Sequence, residues 1–276
     1  MNNITFVIFT YNEEKRISYV IRNFIKYGEV FIMDDGSTDR TKEISEELGA
    51  KVFLRPKTGK AYVENQETFD FVKSKVKTGY IYWGFADNIA PKILVEKFIE
   101  LANQNIYKKI NGASYSYLWG NVKNYAVRFY GTVIFHKDFF DFTDNCIHST
   151  GKFIGTDNQI FSLPNNEKYA LHHFSTYNIS KFVPAHLRYA EAEAMQRFEA
   201  GEKFSVKKML VDMAKTFFTW GKFIKRRSVL VLIIPFNYVF FRLMMYTKLF
   251  ELENNITIDS IEKNYSEVKE KMLKEL

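Results

Sequence analysis

Two short apolar runs, Thr5–Phe9 and Val30–Met33, frame a segment in which Ile17, Val20, Ile21, Phe24 and Ile25 recur at helical spacing. Apolar runs this short, bounded by polar turn residues, read as buried parallel strands. With the intervening helix they make a β-α-β unit of about 30 residues. The alternation continues. Thr41–Leu48 reads as a helix ended by Gly49, Lys51–Leu54 as a strand, and Ala61–Lys75 as a helix with Val63, Phe69 and Val72 inward. Tyr80–Trp83 follows as a fourth strand, then a helix over Lys92–Asn103 with Pro91 at its start, where proline is tolerated. This order predicts an α/β fold with a mostly parallel sheet.

From Ala113 the pattern changes to strands of alternating aromatics, Ala113–Trp119 and Val127–Phe135. Asp141–Gly155 reads as loop and Tyr169–Phe174 as a last strand. From about residue 183 the chain turns helical, with Ala185–Ala200 closing at Gly201. The expected organisation is an α/β domain over 1–182 and a C-terminal helical region over 183–276.

Parallel α/β sheets bind ligands at the carboxyl ends of their strands. Here those ends carry polar clusters: Thr10-Tyr11-Asn12-Glu13-Glu14 after the first strand and Asp34-Asp35-Gly36-Ser37-Thr38-Asp39 after the second. A basic turn, Arg55-Pro56-Lys57-Thr58-Gly59-Lys60, follows the third, and Phe85-Ala86-Asp87-Asn88 ends the fourth. The plain reading of Asp35 and Ser37 is a helix cap, and that of Glu13 and Glu14 a favourable first turn.

The pairing of TYNEE with DDGSTDRT on these elements resembles the inverting family 2 glycosyltransferases. The resemblance is specific over about the first 100 residues, and a looser similarity to transferases of lipopolysaccharide core and other bacterial surface sugars runs to about residue 250. It implies a GT-A fold and a nucleotide-sugar donor of UDP or dTDP type. By that resemblance Asp35 hydrogen-bonds the donor base, Thr10 and Tyr11 line it, and Asn12 and Glu13 belong to the same site. Lys60 serves the base or the diphosphate. Ala86 and Asp87 stand where the family has its Asp-x-Asp metal motif, so Asp87 is the expected ligand of Mg²⁺ or Mn²⁺. The first Asp of that motif is Phe85 here and the usual Glu is Asn88, which puts metal use in question. His173 matches a His-x-Ser of the resembling group and is expected near the diphosphate. Inversion needs one carboxylate to deprotonate the acceptor hydroxyl. The family's His-Glu pair reads His148-Ser149 here, so Asp157, in Gly155–Phe161, is the expected base, with Asp144 and Glu167 as fallbacks.

The formal charge of +7 is concentrated. Lys203–Arg227 holds eight basic residues against Asp212 alone, so this segment carries the whole excess. Interleaved Met209, Leu210, Met213, Phe217, Phe218 and Trp220 give it an apolar stripe. Val229–Phe241 follows, 13 residues that are apolar but for Asn237 and Pro235. As helix that is about 20 Å, too short to cross a hydrocarbon core of about 30 Å. A hairpin lying on the cytoplasmic face of the membrane is expected, with a lipid-linked or cell-surface glycan as acceptor. Packing on another subunit in a homo-oligomer is the alternative. The single Cys146 excludes an internal disulfide and fits a reducing compartment. The amino terminus lacks a basic signal-peptide region, and no nucleic-acid module accompanies the basic segment. Two other readings stand beside the transferase. Phe85 and Ser149 suit a degenerate sugar-nucleotide binder or assembly subunit. A nucleotidyltransferase would show a glycine-rich loop that Thr10–Glu13 lacks.

Overall fold

Strand β1 (Ile4–Thr10) alternates its side chains between two apolar layers, and this decides the architecture. Phe6 and Ile8 face one layer, with Val30, Ile32, Tyr80 and Tyr82, and meet Ile17, Val20, Ile21 and Phe24 of α1 (Ile17–Phe24). Val7 and Phe9 face the other, with Phe31, Met33, Ile81 and Phe135. A strand buried on both sides reads as a continuous apolar run, which is why the sequence shows no polar alternation there. In the computed structural model, residues 2–57, 62–121, 125, 127–143, 145, 150–175, 178–223 and 230–274 are described.

The chain divides into two compact units, Met1–Asn178 and Ile179–Leu276. In the first, β2 (Glu29–Asp34), α2 (Thr41–Glu47), β3 (Lys51–Leu54), α3 (Gln66–Lys75) and β4 (Tyr80–Phe85) follow α1. Then come β5 (Asn88–Ile89), α4 (Lys92–Gln104), β6 (Lys109–Tyr117), β7 (Val127–His136), β8 (Phe140–Asp141), β9 (Lys152–Phe153), β10 (Ile160–Ser162) and β11 (Ala170–Phe174). The main sheet runs β3-β2-β1-β4-β7-β6-β11-β5, with β10 also on β6. β1, β2, β3 and β4 are parallel. β7 is antiparallel to both β4 and β6, so β6 and the parallel β11 regain the direction of β1. The carboxyl ends of β1, β2, β4, β6 and β11 therefore share one edge. Helices α1 and α4 pack on one face of the sheet and α3 on the other. This is a GT-A-type α/β fold.

Two sequence expectations shift. The helix expected from Ala61 starts at Gln66, because Asn65 takes the cap and accepts the Thr68 amide. The loop expected over 141–155 opens on the last residue of β8 and contains β9, and these two strands pair with each other as a two-stranded sheet.

The second unit holds α5 (Ile179–Glu199), α6 (Val206–Phe223), α7 (Leu230–Glu253) and α8 (Ile258–Leu273). Helix α5 begins before residue 183 and takes Pro184 within it. Ala190 and Ala194 of α5 pack against Phe241, Met245, Tyr246 and Leu249 of α7. Beside this core Glu193 accepts from Arg197 at 2.6 Å and Arg242 at 2.5 Å, and Tyr246 donates to Asp212 at 2.5 Å. Among the described residues no helix is long and apolar enough to cross a membrane.

Candidate active site

Five loops leave the shared carboxyl edge, and hydrogen bonds join them. After β2 the two aspartates divide the work. Asp34 is buried and accepts from the Gly36 and Ser37 amides, at 3.1 and 2.9 Å, and from Thr10 Oγ1 at 3.2 Å. It shapes the turn, helped by Gly36 at φ +87°, a conformation costly for any residue with a Cβ. Asp35 is left with a different task. Its Oδ1 accepts from Arg55 at 2.8 Å and Lys57 at 3.1 Å. Its Oδ2 has no partner among the described residues, and its side chain is 35% exposed. Neither Asp35 nor Ser37 caps α2, whose Thr41 amide donates to Asp39, and the outward carboxylate belongs to Asp35.

The loop after β1 is stitched to this turn. Asn12 adopts φ +55°, which Asn tolerates better than most residues. Its amide donates to Ser37 Oγ and its Oδ1 accepts from the Thr38 amide, at 2.9 and 2.8 Å. Tyr11 stands outside the stitch with its ring 56% exposed. The Glu13 amide donates to Thr41 Oγ1, and its carboxylate holds Arg16 through two bonds of 2.6 and 2.5 Å.

Arg16 carries the network to the next strand, donating to Asp87 Oδ2 at 3.3 Å. His173 Nε2 meets the same oxygen at 2.9 Å, and Ser116 Oγ lies 3.3 Å from His173 Nδ1. β11 brings His173 here: it pairs with Ser116 of β6 on one side and Asn88 of β5 on the other. Burial opposes the charge on both members, but each stabilises the other. The Asp87 carboxyl lies below its ordinary value because His173 and Arg16 outweigh burial. The His173 imidazole lies above its own because Asp87 outweighs burial.

The sign of the pH effect follows. A raised histidine stabilises the fold below its ordinary 6.5, and the gain is lost as pH rises through the elevated value. A lowered aspartate stabilises above 3.8, and the gain is lost as pH falls through the depressed value. The destabilisation of His173→Gln, measured by urea unfolding against the wild type, should be largest near pH 5 and shrink as pH rises through the raised value of the imidazole. A difference independent of pH across that window would mean that the pair is not charged in the folded chain.

The residues test whether a divalent cation fits. Asp87 Oδ1 and Asn88 Oδ1 are buried and lack hydrogen-bond partners. Oxygen ligands suit Mg²⁺ or Mn²⁺, and Mg²⁺ commonly takes only one or two carboxylates. Among the described residues no three His, Cys, Asp or Glu side chains converge as a metal site. The position thus fits a cation that draws its other ligands from a bound diphosphate and water.

Several residues do not join this cluster as the sequence led one to expect. Ala86 is 4% exposed and its methyl packs in the core beside α1 and α4. Lys60 and Asp144 lie outside the described residues. Asp157 is a correction. It begins a short 3₁₀ turn that leads into β10, and β10 pairs with the first residues of β6, Ile160 against Lys109. The Gln159 carbonyl accepts from the Lys108 amide at 2.7 Å. Asp157 thus stands at the amino edge of the sheet. The nine residues of β6 separate it from Ser116 and Tyr117, roughly 26 Å at the usual strand rise. The family-like Gly-Thr-Asp-Asn-Gln stretch serves as a capped turn here. Asp157→Asn should therefore keep transfer within about twofold of wild type and leave stability within the ±0.5 kcal/mol usual for surface changes. Loss of turnover with donor binding intact would restore the base role.

Comparison with known proteins settles the family. The profile for glycosyl transferase family 2 matches residues 5–182, well over half of the chain. The chain belongs to glycosyl transferase family 2. Protein RfbJ of Shigella flexneri is 39% identical to the transferase over 64 residues, 22% of this chain and 50% of that protein. Glycosyltransferase AglJ of Haloferax volcanii is 34% identical over 67 residues, 24% of this chain and 22% of that protein. The transferase thus spans half or less of the length of these two relatives. Among solved structures, glucosyl-3-phosphoglycerate synthase from Mycobacterium tuberculosis aligns at 15% identity with a TM-score of 0.43, over 72% of this chain and 80% of that one. A mycobacterial protein aligns at 14% identity and 0.45, over 71% and 74%.

Proposed function

We propose that this glycosyltransferase takes a UDP- or dTDP-type sugar donor along the carboxyl edge and inverts the anomeric centre as it passes the sugar to a lipid-linked or cell-surface glycan. The observation that carries the reading is the division of labour at Asp34-Asp35. One carboxylate is consumed by the turn, and the next is held outward by a buried arginine with an oxygen to spare. That oxygen accepts the N3–H of a uracil or thymine ring, and Tyr11 offers the face on which the ring stacks. Lys57 and Arg55 neutralise Asp35 and add positive potential for the phosphates. Asp87 and Asn88 would hold a divalent cation through their side-chain oxygens, with His173 and Ser116 fixing the Asp87 carboxylate. When bound, that cation offsets the charge of the departing nucleoside diphosphate. Arg16, already on Asp87, adds a cation on the same side.

The deciding experiment is a hydrolysis and thermal-shift screen of the full chain against nucleotide sugars, with and without Mn²⁺. A donor bound at a hundred times its Kd stabilises by about 2.7 kcal/mol, a readily measured rise in Tm. The expected hits are uridine or thymidine diphosphate sugars, with turnover dependent on the cation. A Tm rise without hydrolysis or transfer under any condition would favour the degenerate binder that Phe85 suggests.

Membrane contact belongs to the same proposal. Leu210, Val211 and Phe218 of α6 and Ile233, Phe236, Phe240 and Leu243 of α7 are exposed, in a segment rich in lysine. Such surfaces bind anionic lipid by apolar burial plus about 1 kcal/mol per lysine. The full chain should co-sediment with anionic vesicles at low salt and be released at high salt. A chain that stays in the supernatant at low salt would remove the membrane from the proposal.

A further inference from the structure

Helix α8 lacks any buried residue. Thr257 caps it well, with a reciprocal bond to Ser260, yet at 16 residues a helix in water is marginal without a packed face. It has a face to pack. Ile258, Ile261, Tyr265, Val268 and Met272 are spaced 3, 4, 3 and 4 apart, and they are 81%, 37%, 57%, 57% and 63% exposed. A helix that packs on a globular core shows a wider stripe, whereas strict 3-4 spacing makes the narrow seam of a coiled coil.

We propose that α8 is a dimerisation helix that pairs antiparallel with α8 of a second copy of this chain. The charges beside the seam choose both occupant and direction. Within the helix Asp259, Glu262, Glu267 and Glu270 outnumber Lys263, Lys269 and Lys271, which does not suit an anionic lipid surface. The residues flanking the seam set partner and orientation in coiled coils. With Tyr265 against Val268 of the second copy and Ile261 against Met272, the antiparallel arrangement brings Glu262 opposite Lys269 on both sides of the two-fold axis. A parallel pair in register would leave Glu262 beside Thr257 and Lys269 beside Asn264, with no complementary charge. In the single chain Glu262 and Lys269 already lie on one side of α8, 3.6 Å apart, and both are about two-thirds exposed. They are available to exchange that contact for one across the axis. An antiparallel pair has isologous two-fold symmetry, so it closes at two copies.

Sedimentation velocity on the full chain tests this. The wild type should shift from monomer to dimer with concentration, and Ile261→Asp with Val268→Asp should remain monomeric, with the wild-type Tm at concentrations where the wild type is itself monomeric, since neither side chain enters a core. Glu262→Lys alone and Lys269→Glu alone should each lower dimer affinity at least tenfold. An equimolar mixture of these two variants should recover it, because each lysine then faces a glutamate while both helices keep their internal repulsion. Recovery on mixing cannot come from a purely structural effect within one helix. The proposal is overturned by a wild type still monomeric at about 0.5 mM, a weak limit for specific association. It is equally overturned by a mixture no tighter than its components, or by the aspartate variant losing binding to uncharged vesicles while the wild type stays monomeric.

Discussion

Asp35→Asn weakens UDP binding about ten- to a hundredfold in calorimetry, with the fold intact. The loss corresponds to a hydrogen bond made to a charged acceptor, about 1.5–3 kcal/mol. Asparagine is the informative substitution because of Arg55. That side chain is 6% exposed, donates to Thr68 Oγ1 at 3.3 Å and leans on Asp35 for its charge. Asp35→Ala would remove the binding oxygen and also every acceptor that Arg55 finds on this side chain, whereas asparagine keeps one oxygen for it. The two variants separate recognition from folding: both lose nucleotide, and the alanine is the less stable of the two. A fully folded Asp35→Asn that binds UDP like the wild type would place the base elsewhere.

Asp87→Asn lowers transfer by about 10²–10³, the usual result of removing one preorganised group that meets developing charge. Binding of the bare nucleoside should change little, since the proposed base contact is Asp35 after β2. His173→Ala should lower turnover in the same direction but by less, since it removes a support of Asp87 and leaves the free oxygens of Asp87 and Asn88 in place. Activity undiminished by EDTA in the wild type would move the leaving-group charge to Arg16, Lys57 and a protonated His173.

The strands of the nucleotide half could be read from the chain because each is an apolar run with polar ends, and packing of α1 and α4 agreed with that local pattern. The motif residues at those ends came with them, so the placement of Asp35, Tyr11 and Asp87 along the carboxyl edge was within reach. Arg16 was not. It looks like one more charged residue opening a helix, and only the fold sets it 71 positions from its partner Asp87. Ser116 lies in an ordinary strand, and nothing local marks it as the neighbour of His173. Asp157 failed for the opposite reason. Its motif looked right, but the edge of the sheet on which a residue falls depends on strand direction and register, which a short pattern does not encode. The seam of α8 stood in the sequence as plainly as any strand. Its meaning needed the exposure of every seam residue.

The reversed strand β7 bears on how such an enzyme diversifies. Because β7 runs against β4 and β6, the connection from Tyr117 to Val127 leaves and rejoins the sheet at the carboxyl edge. It starts with Trp119 and Gly120 both at positive φ, a sharp turn away from the strand. On the proposed reading of that edge, insertions or exchanges between these two strands would alter what approaches the sugar while every parallel strand keeps its neighbours, and a graft of this connection is the unit for engineering a new glycosidic linkage.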